Sequence, residues 1–309
     1  METNLSYPTE NYVRRKLLIV AADDLGLTHR VNQAIEKAHR EGIVTTASLM
    51  VNGGSFHTAA DMLRDNPRLD VGLHLNLTEG LPVSAFGAVS SLADERGFLY
   101  RHPFDLLSAL MRRRVRIVDL EKEIRAQIEK ALSANVQVTH IDGHKHVHVL
   151  PQVFHSICRL APEYRIDAVR STSEKTPGLY SLIKRNGSRQ IVKQYVFGKA
   201  LSAGFALASS TNGGGALMTP ARFYGVTQTG FLDIQAFADI VENLDYGVNE
   251  MMCHPGYVDD DLRRTPTRLH IQRERELELL TGREVRDVLQ RADVTLVSYR
   301  DLRNCGNYN

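Results

Sequence analysis

Short apolar runs alternate with amphipathic segments along most of the chain. Residues 17–22 are apolar at every position, which is typical of a parallel strand buried on both faces. The run leads into an Asp-Asp-Leu-Gly turn. Thr28 then offers a helix cap before apolar residues that share one helical face, and Gly42 is the predicted helix end. This strand–helix–strand order predicts a parallel α/β sheet or barrel.

The same signals recur to the end of the chain. Further helices are predicted over 59–63 and 120–132. Further strands are predicted over 43–51, 71–75, 136–141, 167–170, 223–226, 248–253 and 294–299. About eight strands over this length favour an irregular (β/α) barrel.

The chain is predicted to form a single barrel domain over residues 16–309, after an amino-terminal extension at 1–15. Two stretches interrupt the strand–helix rhythm, one near 76–118 and one near 171–222. Both are interpreted either as solvated insertions or as the walls of a substrate cleft. Solvated insertions are the first interpretation. Cleft walls are the alternative, because loops at the carboxyl ends of barrel strands usually build the functional site.

Composition and charge narrow the classes of function. The chain is 43% hydrophobic and 24% charged, as globular proteins are, and a net charge of +2 does not suggest nucleic-acid binding. Three widely spaced cysteines predict no disulfide framework, so a reducing cytoplasm is the expected location. The oligomeric state is left open, and a homo-oligomer is compatible with the sequence.

Membrane association is predicted to be peripheral at most. No apolar run is long enough for a transmembrane segment. Residues 196–208 are apolar with basic neighbours, so contact with a membrane surface competes there with burial in the outer helix layer.

Polar side chains recur at the carboxyl ends of the predicted strands. In a parallel barrel all these ends lie on one face, so the side chains are expected to converge. One carboxylate and two imidazoles can hold a divalent ion, a second carboxylate can accept a proton from water, and a further histidine can protonate a leaving group. The set therefore predicts hydrolysis of an amide or ester. Its members are Asp23, Asp24, His74, Asp142, His144, Arg170 and His254.

Competing chemistries lack their sequence signals. The chain has no Gly-x-Ser-x-Gly nucleophile elbow, no phosphate-binding P-loop and no dinucleotide-binding glycine fingerprint. Serine-dependent acyl transfer, phosphoryl transfer and dinucleotide chemistry are therefore disfavoured.

Several blocks resemble, in order, the motifs of the YdjC-like carbohydrate deacetylase family, which includes chito-oligosaccharide deacetylases and proteins encoded with hopanoid biosynthesis. The resemblance runs from about residue 16 to the end of the chain. It is carried by LLIVAADDLGLTHRVNQAI, GIVTTASLMVNG, VGLHLNLTEG, THIDGHKHVHVLPQVF and NEMMCHPGYVDDDL.

The resemblance implies an irregular (β/α) barrel related to the polysaccharide deacetylases and metal-dependent removal of an N-acetyl group from the amino sugar of an oligosaccharide or glycolipid. Asp24, His74 and His144 would be ligands of one divalent metal ion, Asp23 the base and His254 the acid. Arg170 would orient Asp23 or steady the oxyanion, with a structural ion pair as the alternative.

The identity of the ion stays open. Two nitrogens and one oxygen suit Zn²⁺, whereas Mg²⁺ prefers oxygen ligands but is often described in the family. Two other functions also remain: a metal-dependent amidase or esterase on a non-sugar acyl group, and a catalytically inactive carbohydrate-binding protein.

The stretch HIDGHKHVHVLP, residues 140–151, looks like a local metal cluster but is interpreted as one corner of a dispersed site. His144 is its predicted ligand and Asp142 is predicted to orient an imidazole. His140 is expected to be structural, and His146 and His148 to line the cleft or pack the following turn.

Overall fold

In the described part of the chain, eight parallel strands form the centre of the molecule. The computed structural model describes residues 15–302 apart from 86, 188 and 212–216. The predicted extension except residue 15, the glycines at 213–215 and Cys305 lie outside these residues. The strands are β1 (Lys16–Leu25), β2 (Thr46–Leu49), β3 (Asp70–Leu75), β4 (His140–Gly143), β5 (Ala168–Val169), β6 (Arg222–Tyr224), β7 (Gly247–Cys253) and β8 (Val294–Val297).

The sheet follows the order β5-β4-β3-β2-β1-β7-β6, with β8 paired to β1. β1 pairs with β7 along one side, and its other side is shared by β8 in the first half and β2 in the second. Each outer strand makes a single bridge to a residue beside the other: Ala168 of β5 to Met218, which precedes β6, and Phe223 of β6 to Glu174, which follows β5. The result is the irregular parallel barrel that the sequence predicts.

Helices cover the outside of the sheet. Thr28 caps the first helix as predicted, because its hydroxyl accepts the Val31 N–H at 3.2 Å. The helices are α1 (His29–Arg40), α2 (Phe56–Asp65), α3 (Pro103–Met111), α4 (Ile117–Ser133), α5 (Pro151–Leu160), α6 (Leu179–Asn186), α7 (Arg189–Thr211), α8 (Ile234–Glu242), α9 (Asp260–Arg264), α10 (Ile271–Thr281), α11 (Arg283–Arg291) and α12 (Tyr299–Leu302).

The predicted strands are all present, but several predicted bounds were wrong. β1 continues past Ala22 to Leu25, through an irregularity in its pairing with β2, so Asp23 and Asp24 lie inside the strand. β4 begins at His140 instead of residue 136, since residues 136–139 approach the sheet before pairing with it. Apolar runs mark buried segments, whereas strand bounds depend on pairing partners that the run does not encode.

Alternate residues of β1 divide the core and carry polar groups into the barrel. Leu17, Ile19 and Ala21 belong to a small interior cluster, while the residues between them pack with the outer helices. The same alternation places Asp23 on the interior face. The barrel is therefore apolar at one end and polar at its carboxyl end.

His140 belongs to this interior. Its ring stacks on Tyr299 with centroids 3.5 Å apart, and a Cβ at Gly72 would lie 2.3 Å from it. Gly72 thus leaves the space that this structural histidine fills, and burial lowers the pKa of His140 to about 3.

The second interruption, near 171–222, contains α6 and α7. Ile191 and Leu201 of α7 are buried, whereas Val192, Val196 and Leu207 are exposed. The helix therefore lies on the barrel with an apolar outer side, and its contact with a membrane stays a prediction. Within the described residues, no helix is both long and apolar enough to cross a bilayer.

Candidate metal centre and active-site cleft

A cleft of about 1090 Å³ opens at the carboxyl ends of the strands. Asp23, Asp24, His74, His144 and His254 all line it. Both interruptions of the strand–helix rhythm contribute to its walls, the first through residues including Glu79 and Phe104 and the second through residues including Lys193 and Phe197. The polar residues predicted from strand ends are therefore brought together.

Asp24, His74 and His144 converge at the cleft floor. One oxygen or nitrogen of each lies within 4.8 Å of the others. Asp24 Oδ1 lies 3.1 Å from His144 Nδ1 and 3.5 Å from His74 Nε2, so both imidazoles face the same carboxylate oxygen. This donor set fits a divalent ion such as Zn²⁺.

The other oxygen of Asp24 is held by Arg273. Arg273 Nη2 donates to Asp24 Oδ2 at 2.5 Å, and both side chains are buried. Burial alone would raise the pKa of Asp24, but the guanidinium and the two imidazoles outweigh it and hold the pKa well below its usual range. Asp24 thus presents an ionised oxygen toward the histidines.

Gly256 makes room for this arginine. A Cβ at Gly256 would lie 2.9 Å from Arg273 Cδ, and the Gly256 N–H donates to the Arg273 carbonyl at 3.2 Å. The neighbouring His254 N–H donates to Glu276 Oε2 at 2.6 Å. α10 therefore supports both Asp24 and the loop that carries His254.

A buried carboxylate orients His74, as Asp142 was predicted to orient an imidazole. Asp142 Oδ1 lies 2.9 Å from His74 Nδ1, which leaves Nε2 directed toward Asp24. Burial would lower the pKa of His74, but the carboxylates of Asp142 and Asp23 prevail and raise it to about 10. Burial would also lower the pKa of His144, but its hydrogen bonds with Asp24 and Glu79 outweigh burial and raise that pKa.

Arg170 lies beneath Asp23 and is fully buried. It donates to both Asp23 oxygens at 2.8 Å, to Glu250 Oε1 at 2.8 Å, and it pairs with Asp142 Oδ2 at 2.7 Å. One guanidinium thus joins three carboxylates. It does not line the cleft, which favours the orienting role over direct contact with an oxyanion.

Asp23, His74 and Asp142 form a second group compact enough for a metal. The Arg170 guanidinium already pairs with both of these carboxylates. This group therefore fits an ion-pair network, and the group around Asp24 is the better candidate for a cation.

His254 follows β7 and lines the cleft. Burial lowers its pKa to about 4, although the carboxylates of Asp23 and Asp24 oppose the change. Its imidazole is therefore neutral at neutral pH, and a role as acid requires it to receive a proton first.

Among the described residues that line the cleft, four that are not glycine adopt left-handed backbone conformations. All four line the cleft that contains the candidate metal centre. Lys145 forms an ion pair with Glu79, which in turn lies beside His144. The four are Asp24 (φ 69°), Glu79 (φ 66°), Lys145 (φ 51°) and His146 (φ 57°). Such conformations are uncommon outside glycine and concentrate at functional sites.

The remaining histidines of HIDGHKHVHVLP lie in different surroundings. His146 lines the cleft, where its ring lies near Phe197 and Phe223. His148 is fully buried outside the cleft lining, and burial lowers its pKa to about 3. Only His144 of this stretch reaches Asp24 among the contacts described.

Comparison with known proteins decides the family. A model for YdjC-like proteins matches residues 17–291. The chain belongs to the YdjC-like family.

YdjC-like relatives match it over nearly their whole length. A carbohydrate deacetylase of Brevibacillus brevis is 35% identical over 92% of this chain and 99% of that protein. A chitooligosaccharide deacetylase of Yersinia enterocolitica is 31% identical over 93% and 99%. A solved structure from Enterococcus faecalis V583, whose suggested role is cellobiose-phosphate cleavage, is 25% identical with a TM-score of 0.73, covering 93% of this chain and 99% of that one.

Three residues of the site escaped sequence reasoning. Glu250 shares the interior face of β7 with Val248, so the strand alternation carried a signal for it. Glu79 follows β3 in a loop, and Arg273 lies on a charged helix with no strand-end position. Glu79 lies within VGLHLNLTEG, one of the blocks that carry the resemblance, but neither it nor Arg273 was given a role from the sequence.

Proposed function

We propose that this YdjC-like protein is a metal-dependent carbohydrate N-deacetylase. It would hydrolyse the acetamide of an amino sugar, in an oligosaccharide or glycolipid, to acetate and a free amine. The convergence of Asp24, His74 and His144 beside Asp23 in one large cleft carries the proposal. Relatives named carbohydrate deacetylase and chitooligosaccharide deacetylase support the substrate class.

Asp24, His74 and His144 would hold the ion. When bound there, a divalent cation would polarise the amide carbonyl and make water more acidic. Two nitrogens and one oxygen favour Zn²⁺, and Mg²⁺ is to be tested beside it.

Asp23 is proposed as the base, since it lines the cleft next to Asp24 while Arg170 fixes both its oxygens. It accepts one proton as water attacks the acyl carbon. His254 protonates the departing nitrogen after receiving that proton, because its lowered pKa leaves the free ring neutral. The proton taken from water thus reaches the nitrogen as the C–N bond breaks.

Acetate release from a panel of N-acetylated sugars, oligomers and glycolipids, with and without chelator, tests the proposal. We expect release that the chelator abolishes and that Zn²⁺ or Mg²⁺ restores. Activity confined to simple acyl amides or esters would instead support the non-sugar hydrolase. Tight sugar binding without acetate release would support a binding protein.

The proposed location is the cytoplasm. The three cysteines are few and widely spaced in the sequence, unlike a disulfide framework, which supports a reducing compartment.

A further inference from the structure

The two histidines of the candidate metal centre face Asp24 through different ring nitrogens. His74 lies between Asp24 and Asp142, with Nε2 on the Asp24 side and Nδ1 on the Asp142 side. His144 lies between Asp24 and Glu79, but its Nδ1 faces Asp24 at 3.1 Å and its Nε2 faces Glu79 Oε2 at 3.4 Å. Each imidazole thus has one outer carboxylate, reached through a different nitrogen.

Glu79 is held firmly in this position. Its N–H donates to the Tyr100 carbonyl at 2.8 Å, and its own carbonyl accepts from Asn76 Nδ2 at 3.2 Å. Its Oε1 pairs with Lys145, which leaves Oε2 for His144. Two residues of this contact, Glu79 and Lys145, adopt left-handed conformations that are uncommon outside glycine. The surrounding contacts therefore fix a backbone geometry that the residues alone disfavour.

A neutral imidazole has one N–H and one lone pair, and a cation takes the lone pair. An ion bound to Asp24 Oδ1 requires the nitrogen on that side to be unprotonated. In His144 that nitrogen is Nδ1, so its proton must lie on Nε2, opposite the Glu79 carboxylate. A carboxylate in this position fixes the tautomer and the ring orientation of a ligand histidine.

We propose that Glu79 is a positioning residue of the metal centre, which accepts the Nε2–H of His144 and so presents Nδ1 to the ion. Asp142 does the reverse for His74, presenting Nε2. The inference rests on the proposed metal-dependent function and assigns a role to a residue outside the ligand set.

Zinc affinity of three variants tests the role of Glu79 by calorimetry. Glu79→Ala should bind Zn²⁺ about 10–100-fold more weakly than the wild type, because the imidazole loses its outer partner. Glu79→Gln should recover part of that loss, since its carboxamide oxygen still accepts the Nε2 proton. Glu95→Gln, an exposed carboxylate outside the cleft lining, is the matched control and should bind like the wild type. Equal affinity of Glu79→Ala and wild type would overturn the inference.

A second measurement uses the wild-type protein and so does not depend on the folding of any Glu79 variant. Nitrogen-15 NMR of histidine-labelled, zinc-loaded protein reports which ring nitrogen of each ligand is protonated, with His144→Gln serving to assign the signal. We expect Nε2–H with zinc on Nδ1 for His144, and the opposite for His74. Zinc on Nε2 of His144 in an active enzyme overturns this inference alone, whereas a wild type that binds no metal overturns the proposed function.

Discussion

Arg273 and Asp24, separated by 249 residues in sequence, share a buried hydrogen bond of 2.5 Å at the floor of the cleft. The contact occupies one carboxylate oxygen and leaves the other directed at His74 and His144. A helix near the end of the chain thereby fixes a carboxylate of the first strand in the orientation that a metal ligand needs.

Removing this arginine should weaken the metal centre. In Arg273→Met the Asp24 side chain loses its partner and can rotate, so we expect metal affinity to fall about 10–100-fold. Competition with a chromophoric chelator measures this. Arg275→Met, an exposed arginine on the same helix, is the control. An unchanged affinity in Arg273→Met would show that Asp24 is held in place without Arg273.

Asp23→Asn separates base catalysis from metal binding. The amide cannot accept the proton from water, so turnover should fall roughly 10²–10⁴-fold while the metal content of the purified protein stays normal. His74→Ala should instead lose the ion, which elemental analysis of both variants distinguishes. Near-normal acetate release by Asp23→Asn would remove Asp23 from the proposed role.

Arg170→Met should destabilise the fold strongly. The substitution leaves the carboxylates of Asp23, Asp142 and Glu250 buried without their shared cation, and breaking a buried pair in this way costs about 3–5 kcal/mol. The free energy of unfolding in urea measures the loss.

Arg222→Met is the control. It breaks a part-exposed pair with Asp245 and should cost no more than about 1 kcal/mol. Similar losses of unfolding free energy in both variants would contradict the expectation that the buried pairs of Arg170 stabilise the fold more than the part-exposed pair of Arg222.

We predict that Glu174, which is outside the candidate metal centre, makes the stability of the protein depend on pH. Burial raises its pKa from 4.5 to about 7, against the hydrogen bonds from Thr227. The folded state therefore keeps the proton longer than the unfolded chain, and stability should fall as pH rises from about 4.5 to 7. In Glu174→Gln this part of the fall should disappear, as urea unfolding across that range would show.

Exposed Glu242→Gln is the control for this slope and should behave like the wild type, because water solvates its carboxylate in both states. A wild-type slope retained in Glu174→Gln would assign the pH dependence to other groups.

The barrel and most of its polar residues could be predicted from the sequence because both depend on local order. Apolar runs mark buried strands, and parallel strands bring their carboxyl ends to one edge, so Asp24, His74 and His144 were expected to meet. Their contacts agree with that expectation, while their role as ligands stays a prediction.

Arg273 and Glu79 could not be predicted in the same way. Neither lies at a strand end, and their positions depend on how α10 and the loop after β3 pack over the barrel. Such contacts depend on the whole fold. Glu250 is an intermediate case. Its interior position follows from strand alternation, but its ion pair with Arg170 does not.

The left-handed backbone at Asp24, Glu79, Lys145 and His146 bears on which substitutions this chain can accept. Glycine at any of the four would relieve the conformational penalty, which for the set approaches the net stability of a small domain. At Lys145, whose side chain is partly exposed, a screen for thermal tolerance alone should therefore enrich glycine or asparagine while the contact with Glu79 is lost. At Asp24 the loss of the buried pair with Arg273 outweighs the relief of the backbone. In this molecule, heat resistance and catalytic competence are expected to select for different residues at Lys145 and for the same residue at Asp24.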